Sequence, residues 1–187
     1  IVKILCDNPN KVLTFSYFTD LFQTAKSTIS SDIAVIKKVF EIQKLGKVVT
    51  ISGAAGGVKY IPTTYENDGL MFLQKFCSEL EKPHRLLPGG FLYLLDLIYE
   101  PKTVGNIARL ITTVIDYEQA DYLVTIETKG IPMAIMTARA MNLPLAIIRK
   151  NTKISEGPSL SITYVTGKSN TKINSMSLPI KSIEKGS

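Results

Sequence analysis

The chain has 187 residues, of which 45% are hydrophobic, and carries a net charge of +6 with a pI near 9.2. This is enough apolar material for packed cores in two domains, and the basic balance favours a polyanionic partner. The sequence has no apolar run of about 18 residues and no basic-then-apolar leader, so we expect a soluble cytoplasmic protein without a membrane span.

The two cysteines, Cys6 and Cys77, lie far apart in the sequence. They form no Cys-x-x-Cys motif, and no set of histidines accompanies them. We therefore expect two buried free thiols and no metal site.

The sequence divides near its first third. Residues 62–67 form a polar stretch that follows a strand pattern and precedes an amphipathic helix, which predicts domains at residues 1–64 and 68–187. The apolar face of that helix consists of Leu70, Met71, Leu73, Phe76, Cys77 and Leu80. The chain begins at Ile1 rather than Met and ends without a closing element, so we expect a fragment of a longer protein.

Residues 1–62 show the pattern of a helix-turn-helix. Residues 1–6 look like the end of a helix, and a short helix follows over residues 15–24 with Thr14 as its N-cap. A second helix is predicted over residues 28–43, with Ser27 or Thr28 as the N-cap. Its core-facing stripe is formed by Ile29, Ile33, Ile36 and Phe40, and its opposite face by Ser30, Ser31, Ala34, Lys37 and Lys38.

A predicted hairpin completes this module. Strand patterns at residues 47–51 and 58–61 flank a glycine-rich loop at residues 52–57, which is typical of a wing. Between Lys26 and Lys59 the lysines exceed the acidic residues by four. Small side chains can approach base edges and lysines can reach phosphates, so a winged helix that contacts double-stranded DNA is predicted. The candidate contacts are Lys26, Ser27, Thr28, Ser30, Ser31, Lys37, Lys38 and Lys59. A module that binds a protein or forms a dimer is the alternative.

The second part of the sequence alternates helix and strand patterns. A helix over residues 103–117 leads to a strand at 122–126, a helix at 131–141 and a strand at 144–148, which predicts a βαβ unit. Cationic loops follow both strands, where open parallel sheets bind ligands. We therefore predict a site for a ligand with several phosphates, formed by Thr128, Lys129, Gly130, Arg149 and Lys150. Solvated lysines at strand ends are the alternative.

The composition changes after Lys150. Residues 149–187 contain seven basic residues but only two acidic ones, and short strand patterns occur at 161–165 and near 176–180. Two interpretations remain open: a solvated hairpin, or a flap that closes over an anionic ligand.

Several segments together carry a resemblance to one known family. They occur in family order at residues 25–32, 53–62, 85–93, 128–132, 148–150, 154–157 and 161–165. Through these segments the chain resembles the bacterial purine operon repressors, in which a winged-helix domain is fused to a type I phosphoribosyltransferase-like domain.

The resemblance implies an α/β fold class, with an N-terminal winged helix-turn-helix and a C-terminal parallel sheet with flanking helices. It also implies that residues 128–130 are a pyrophosphate loop, often held by a non-proline cis peptide, that the stretch after Lys150 is the flexible loop, and that Phe91 lies near the ligand. The implied effector is phosphoribosyl pyrophosphate, with or without Mg²⁺. The acidic strand end and Gly-Gly-Thr loop of phosphoribosyltransferases are absent, so the domain is expected to be C-terminally incomplete.

Two functions compete at this point. The first is a homodimeric transcription regulator, without catalysis, that binds a palindromic operator and responds to phosphoribosyl pyrophosphate. The second is an active purine phosphoribosyltransferase with an accessory winged helix. No residues can be assigned to a purine base pocket, which favours the regulator.

Overall fold

The computed structural model describes residues 1–53, 56–151, 154–167 and 172–186. It is a mixed α/β structure, as predicted, in which helices and a hairpin precede a parallel strand pair. The predicted wing loop and the predicted polar loop after residue 166 include residues 54–55 and 168–171, which lie outside the described residues, as do 152–153 and 187.

The N-terminal region contains three helices and an antiparallel hairpin. The helices are α1 (Val2–Asp7), α2 (Phe15–Phe22) and α3 (Lys26–Ile42), and the hairpin strands are β1 (Lys47–Ile51) and β2 (Gly57–Ile61). Lys47 pairs with Ile61 and Ile51 with Gly57. The predicted order of helices followed by a wing is therefore confirmed.

Large apolar side chains fill the core of this region. Phe18, Leu5, Ile29 and Val58 are fully buried, and each such burial stabilises the fold by about 1.5–3 kcal/mol. Ile29, Ile33 and Phe40 of the predicted stripe are buried, and Ile36 packs partly against them. The periodicity of α3 thus identified its inner face correctly.

Two local features were not predicted. The backbone of Leu13 pairs with Val58 through N–H to O distances of 2.9 and 2.8 Å, which adds a third strand segment to the wing. A Cβ on Gly57 would lie 2.2 Å from the Leu13 carbonyl oxygen, so this close pairing requires glycine. The core therefore extends under the base of the wing.

Helix α4 (Glu66–Leu80) follows the linker, as predicted, but its apolar face is only partly covered, with Phe76 and Leu80 half-buried. Leu70, Met71 and Leu73 are exposed. Cys77 is also exposed and Cys6 is half-buried, so the prediction of two buried thiols was wrong. The regular spacing of the apolar residues shows the face of the helix but not what packs against it.

The second region contains two short hairpin strands and three further helices around a strand pair. Strands β3 (Leu86–Leu87) and β4 (Phe91–Leu92) are followed by α5 (Leu95–Ile98) and α6 (Pro101–Val114). Helix α6 begins earlier than predicted because the Glu100 side chain caps it through the N–H groups of Lys102 and Thr103, and it also ends earlier than predicted, at Val114. It packs against α7 (Ile131–Met141), and small side chains of the two helices are buried, including Ala108, Ala134 and Ala138.

The predicted βαβ unit is confirmed. Strand β5 (Leu123–Ile126), α7 (Ile131–Met141) and β6 (Leu145–Ile148) follow in order. The strands are parallel, with Leu123 opposite Leu145 and Ile126 opposite Ile148. Their carboxyl ends therefore lie side by side.

A long hairpin extends from this unit. Strands β7 (Ser159–Thr166) and β8 (Lys172–Pro179) are antiparallel, and Ser177 is bridged to Arg149 just after β6. Both strands are longer than predicted. Across the described residues, none of the helices combines the length and apolarity needed to cross a bilayer.

Candidate DNA-binding surface and anion-binding loop

Helices α2 and α3 meet at a tight turn. Thr14 caps α2, as predicted, because its Oγ1 accepts a hydrogen bond from the Tyr17 N–H at 3.2 Å. Gln23 ends the helix in the left-handed conformation with φ 51°. This turn sets the orientation of α3 relative to α2.

The predicted N-cap of α3 was wrong. The helix begins at Lys26, and Ala25 is the N-cap, in an extended conformation and without a side-chain hydrogen bond. Its carbonyl oxygen accepts the N–H groups of Thr28 and Ile29 at 3.1 and 3.2 Å. Ser27 and Thr28 therefore lie inside the first turn rather than before it.

All seven predicted DNA contacts on α3 are exposed. They are Lys26, Ser27, Thr28, Ser30, Ser31, Lys37 and Lys38. The Lys26 ammonium lies 5.7 Å from the centre of the Phe15 ring, a contact worth about 0.5–1 kcal/mol at an exposed site. Thr28 lies on another flank, in an apolar groove of about 730 Å³ that Ile1, Phe22 and Val35 also line. Ser30 and Lys37 are seven residues apart and share one face, whereas Thr28 is separated from them.

Lys59 is placed differently from the other predicted contacts. It lies on β2, half-buried, in a cleft of about 610 Å³ between the two regions. Asp116 and Glu118 line the same cleft. Their carboxylates reduce the positive potential of Lys59, so its predicted contact with DNA has less support than that of the α3 lysines.

The loop after β5 has the shape expected of an anion-binding turn. The Glu127–Thr128 peptide is cis, in agreement with the resemblance. Gly130 is the N-cap of α7, and its carbonyl accepts the Ala134 N–H at 2.9 Å. A Cβ on Gly130 would lie 2.9 Å from Thr125 Oγ1, so glycine is needed here because of space. Thr128 and Lys129 are exposed beside this helix N-terminus, which favours negative charge.

The two strand-end loops meet at Glu127. Its carboxylate accepts the Lys150 N–H at 2.7 Å and a hydrogen bond from Arg149 Nη1 at 3.2 Å. Thr128, Lys129, Arg149 and Lys150 therefore lie at one edge of the parallel pair, as predicted. Sequence analysis gave no role to Glu127, although an acidic residue after an apolar strand was the available signal.

Arg149 is engaged within the protein. Besides Glu127 it binds Glu156, at 2.9 Å from its Nε to a carboxylate oxygen, and its side chain is 22% exposed. The hydrogen bond to Glu127 is the main cause that raises the pKa of Arg149 above its usual value. An effector contact from Arg149 would therefore have to replace one of these carboxylates, whereas the Lys129 and Lys150 side chains are exposed.

Phe91 lies on the β3–β4 hairpin with 71% of its surface exposed. This hairpin is anchored by Arg85, whose side chain is only 3% exposed and which binds Asp96 at 2.9 Å and Glu79 at 2.6 Å. The Arg85 guanidinium holds the pKa of both carboxyls below their usual values. These contacts lead to α4 and α5, and none of them joins Phe91 to the loop at Gly130.

Comparison with known proteins finds relatives that are named purine repressors and transcriptional regulators. Residues 1–62 match the family model described as bacterial purine repressor, N-terminal. Over 187 residues the chain is 38% identical to the purine biosynthesis transcriptional repressor PurR of Bacillus subtilis, and 36% identical to the probable purine biosynthesis transcriptional regulator PurR of Streptococcus pneumoniae serotype 4. Both alignments cover 100% of this chain, but only 65% and 68% of those relatives.

Two further comparisons extend this result. The chain is 35% identical over 184 residues to the purine biosynthesis transcriptional activator PurR of Lactococcus lactis subsp. lactis, which covers 98% of this chain and 68% of that relative. Among solved structures, adenine phosphoribosyl transferase from Trypanosoma brucei matches with a TM-score of 0.45 at 18% identity, covering 67% of this chain and 54% of that chain.

Proposed function

The chain belongs to the bacterial purine repressor family, and from this premise we propose that it is part of a DNA-binding regulator of purine biosynthesis genes. In this proposal, operator affinity changes when phosphoribosyl pyrophosphate binds the loop at residues 128–130. The protein acts as a homodimer and has no transferase activity.

The exposed polar surface of α3 is the observation that supports DNA binding. Lys37 and Lys38 are exposed and, among the described residues, form no ion pair. Ser30 and Ser31 expose small hydroxyl side chains one to two turns earlier on the same helix. A lysine contributes mainly phosphate affinity, whereas a small polar side chain can contact a base edge. The helix thus combines both kinds of contact beside a wing.

The turn at Gly130 supports the effector part of the proposal. A diphosphate placed there would meet the N-terminus of α7, a helix of 11 residues, and the exposed ammonium groups of Lys129 and Lys150. The carboxylate of Glu127 holds the two loops together through the Lys150 N–H and the Arg149 guanidinium. Phosphate groups at this edge would therefore be bound by several donors at once.

The test is a gel-shift titration of the full-length protein with promoter DNA from a purine biosynthesis gene, with and without phosphoribosyl pyrophosphate. Wild-type protein should shift its midpoint when the effector is added. Lys129→Ala should need about tenfold more effector for the same shift, because a charged hydrogen bond to phosphate is lost. Lys75→Ala, at an exposed lysine of α4, is the matched control and should respond as wild type does.

Three outcomes would contradict the proposal in different ways. Equal affinity for promoter and scrambled DNA would refute operator recognition. An unchanged response of Lys129→Ala would place the effector elsewhere. Turnover of a purine base with phosphoribosyl pyrophosphate by the purified protein would establish a transferase instead.

A further inference from the structure

A cationic cavity lies where the two regions of the chain meet, away from the loop at Gly130. It has a volume of about 370 Å³, within the range of small-molecule sites. The N-terminal region contributes Cys6, Pro9, Tyr60 and Pro62, and helices α6 and α7 contribute mainly Lys102, Arg109, Met136 and Arg139.

The charges around this junction cavity are unbalanced. Lys102, Arg109 and Arg139 line it, and among the described residues none of its lining side chains is acidic. Arg109 donates to the neutral side chain of Asn106, and Lys102 is next to the Glu100 carboxylate. Across the described parts of the chain, neither arginine forms an ion pair. Two exposed guanidinium groups thus border one cavity, and neither is paired with a carboxylate among the described residues.

The cavity walls are held in place by hydrogen bonds between the two regions. Asn10 Nδ2 donates to the Ala140 carbonyl at 2.5 Å on one side. Thr112 Oγ1 donates to the Pro62 carbonyl at 2.9 Å on the other, and Thr112 is buried. A ligand would therefore meet a largely formed site, which lowers the ordering cost of binding.

The remaining wall is apolar. Pro101 and Met136 present carbon surface, whereas Pro62 and Tyr60 are buried behind it, with the Tyr60 hydroxyl donating to the Leu45 carbonyl. Inorganic phosphate alone would leave this surface uncovered. A ligand with both a phosphate and a flat carbon-rich ring fits the two halves of the cavity, since guanidinium groups bind phosphate oxygens in a fork and methionine packs well on rings.

We propose that this junction cavity binds a nucleoside monophosphate, with its phosphate held by Arg109 and Arg139 and its ring against Pro101 and Met136. Because the ligand would contact both regions, its binding would favour the domain arrangement seen here. The site is separate from the loop at Gly130, and its existence does not depend on the function proposed above.

Cys6 provides a local probe, since it lines the cavity, whereas Cys77 lies exposed on α4. The 187-residue chain is treated with iodoacetamide, and mass spectrometry follows the rate of alkylation at each of the two cysteines. The reaction is repeated in the presence of adenosine monophosphate, adenosine or inorganic phosphate. Adenosine monophosphate should slow the alkylation of Cys6 and leave that of Cys77 unchanged. In isothermal titration calorimetry, adenosine and inorganic phosphate should each bind at least about tenfold more weakly than adenosine monophosphate.

Variants distinguish this site from the strand-end loop. Arg139 is exposed, so Arg139→Gln should fold, lose Cys6 protection and bind about tenfold more weakly, and Arg109→Gln should do the same. Lys75→Ala, at the exposed lysine of α4, should behave as wild type, and Lys129→Ala should keep the wild-type protection of Cys6. The proposal is overturned if Cys6 is not protected at millimolar nucleotide, if phosphate binds as well as the nucleotide, or if Lys129→Ala rather than Arg139→Gln abolishes protection.

Discussion

Replacing Lys38 by alanine should reduce the salt dependence of DNA binding. Lys38 is exposed on α3, and among the described residues it has no carboxylate partner, so its charge is available to a phosphate. The logarithm of affinity falls with the logarithm of salt by about 0.9 for each phosphate neutralised. Lys38→Ala should therefore lower this slope by about 0.9 for each chain bound.

The corresponding change in affinity is large enough to measure. Between 50 and 200 mM salt, a slope difference of about 0.9 corresponds to roughly a 3.5-fold change in the ratio of wild-type to variant affinity. Fluorescence anisotropy with a labelled promoter fragment at four salt concentrations would resolve it. Scrambled DNA should show the same slope change, because a phosphate contact carries no sequence information.

Two lysines serve as comparisons. Lys75→Ala removes an exposed charge from α4 and should leave the slope unchanged. Lys59→Ala should have a smaller effect than Lys38→Ala, because Lys59 is half-buried in a cleft that Asp116 and Glu118 line. An unchanged slope for Lys38→Ala would refute the proposed phosphate contact, and equal effects of Lys38 and Lys59 would refute the distinction drawn from the cleft.

Two further predictions concern stability. Phe18→Ala should lower the free energy of unfolding by about 3–5 kcal/mol in urea titrations, because Phe18 is fully buried. Phe22 is 44% exposed, so Phe22→Ala should lower it by less than about 1.5 kcal/mol, and similar losses for the two variants would contradict the assigned core. The hydrogen bond from Arg85 holds the pKa of the Asp96 carboxyl below its ordinary 3.8. Wild type should therefore be more stable than Asp96→Asn at neutral pH, where the carboxylate is charged. This difference in the free energy of unfolding should shrink as the pH falls through the lowered pKa. An advantage that persists at the lowest pH would show that the ion pair is not its cause.

The spacing of apolar residues made much of the secondary structure predictable from the sequence. The spacing of Ile29, Ile33 and Phe40 identified the buried side of α3, and the apolar runs on either side of α7 identified both parallel strands. Such patterns follow from helix and strand geometry and need no knowledge of distant contacts. The start of α3 was missed because backbone geometry at Ala25, rather than a capping side chain, begins the helix.

The candidate site was only partly predictable, because pairing across the chain decides which charges are available. Arg149 and Lys150 both follow a strand, and nothing in the local sequence shows that one side chain is paired and the other exposed. The register that places Ile126 opposite Ile148 brings Glu127 to Arg149, 22 residues away along the chain. Likewise, no local pattern indicates that Lys59 shares a cleft with acidic residues from the other region.

Glu127 connects the turn at Gly130, where we propose that the effector binds, to a distant part of the molecule. Its side chain contacts the backbone of Lys150 and the guanidinium of Arg149, and the Arg149 backbone is paired on both its N–H and its carbonyl with Ser177 of β8, at 2.8 Å each. A ligand that moved the loop at residues 128–130 would thus displace one end of the β7–β8 hairpin, because Glu127 and Arg149 connect that loop to Ser177. Strands β7 and β8 should therefore shift when the proposed effector binds at Lys129, even if their own side chains never contact it.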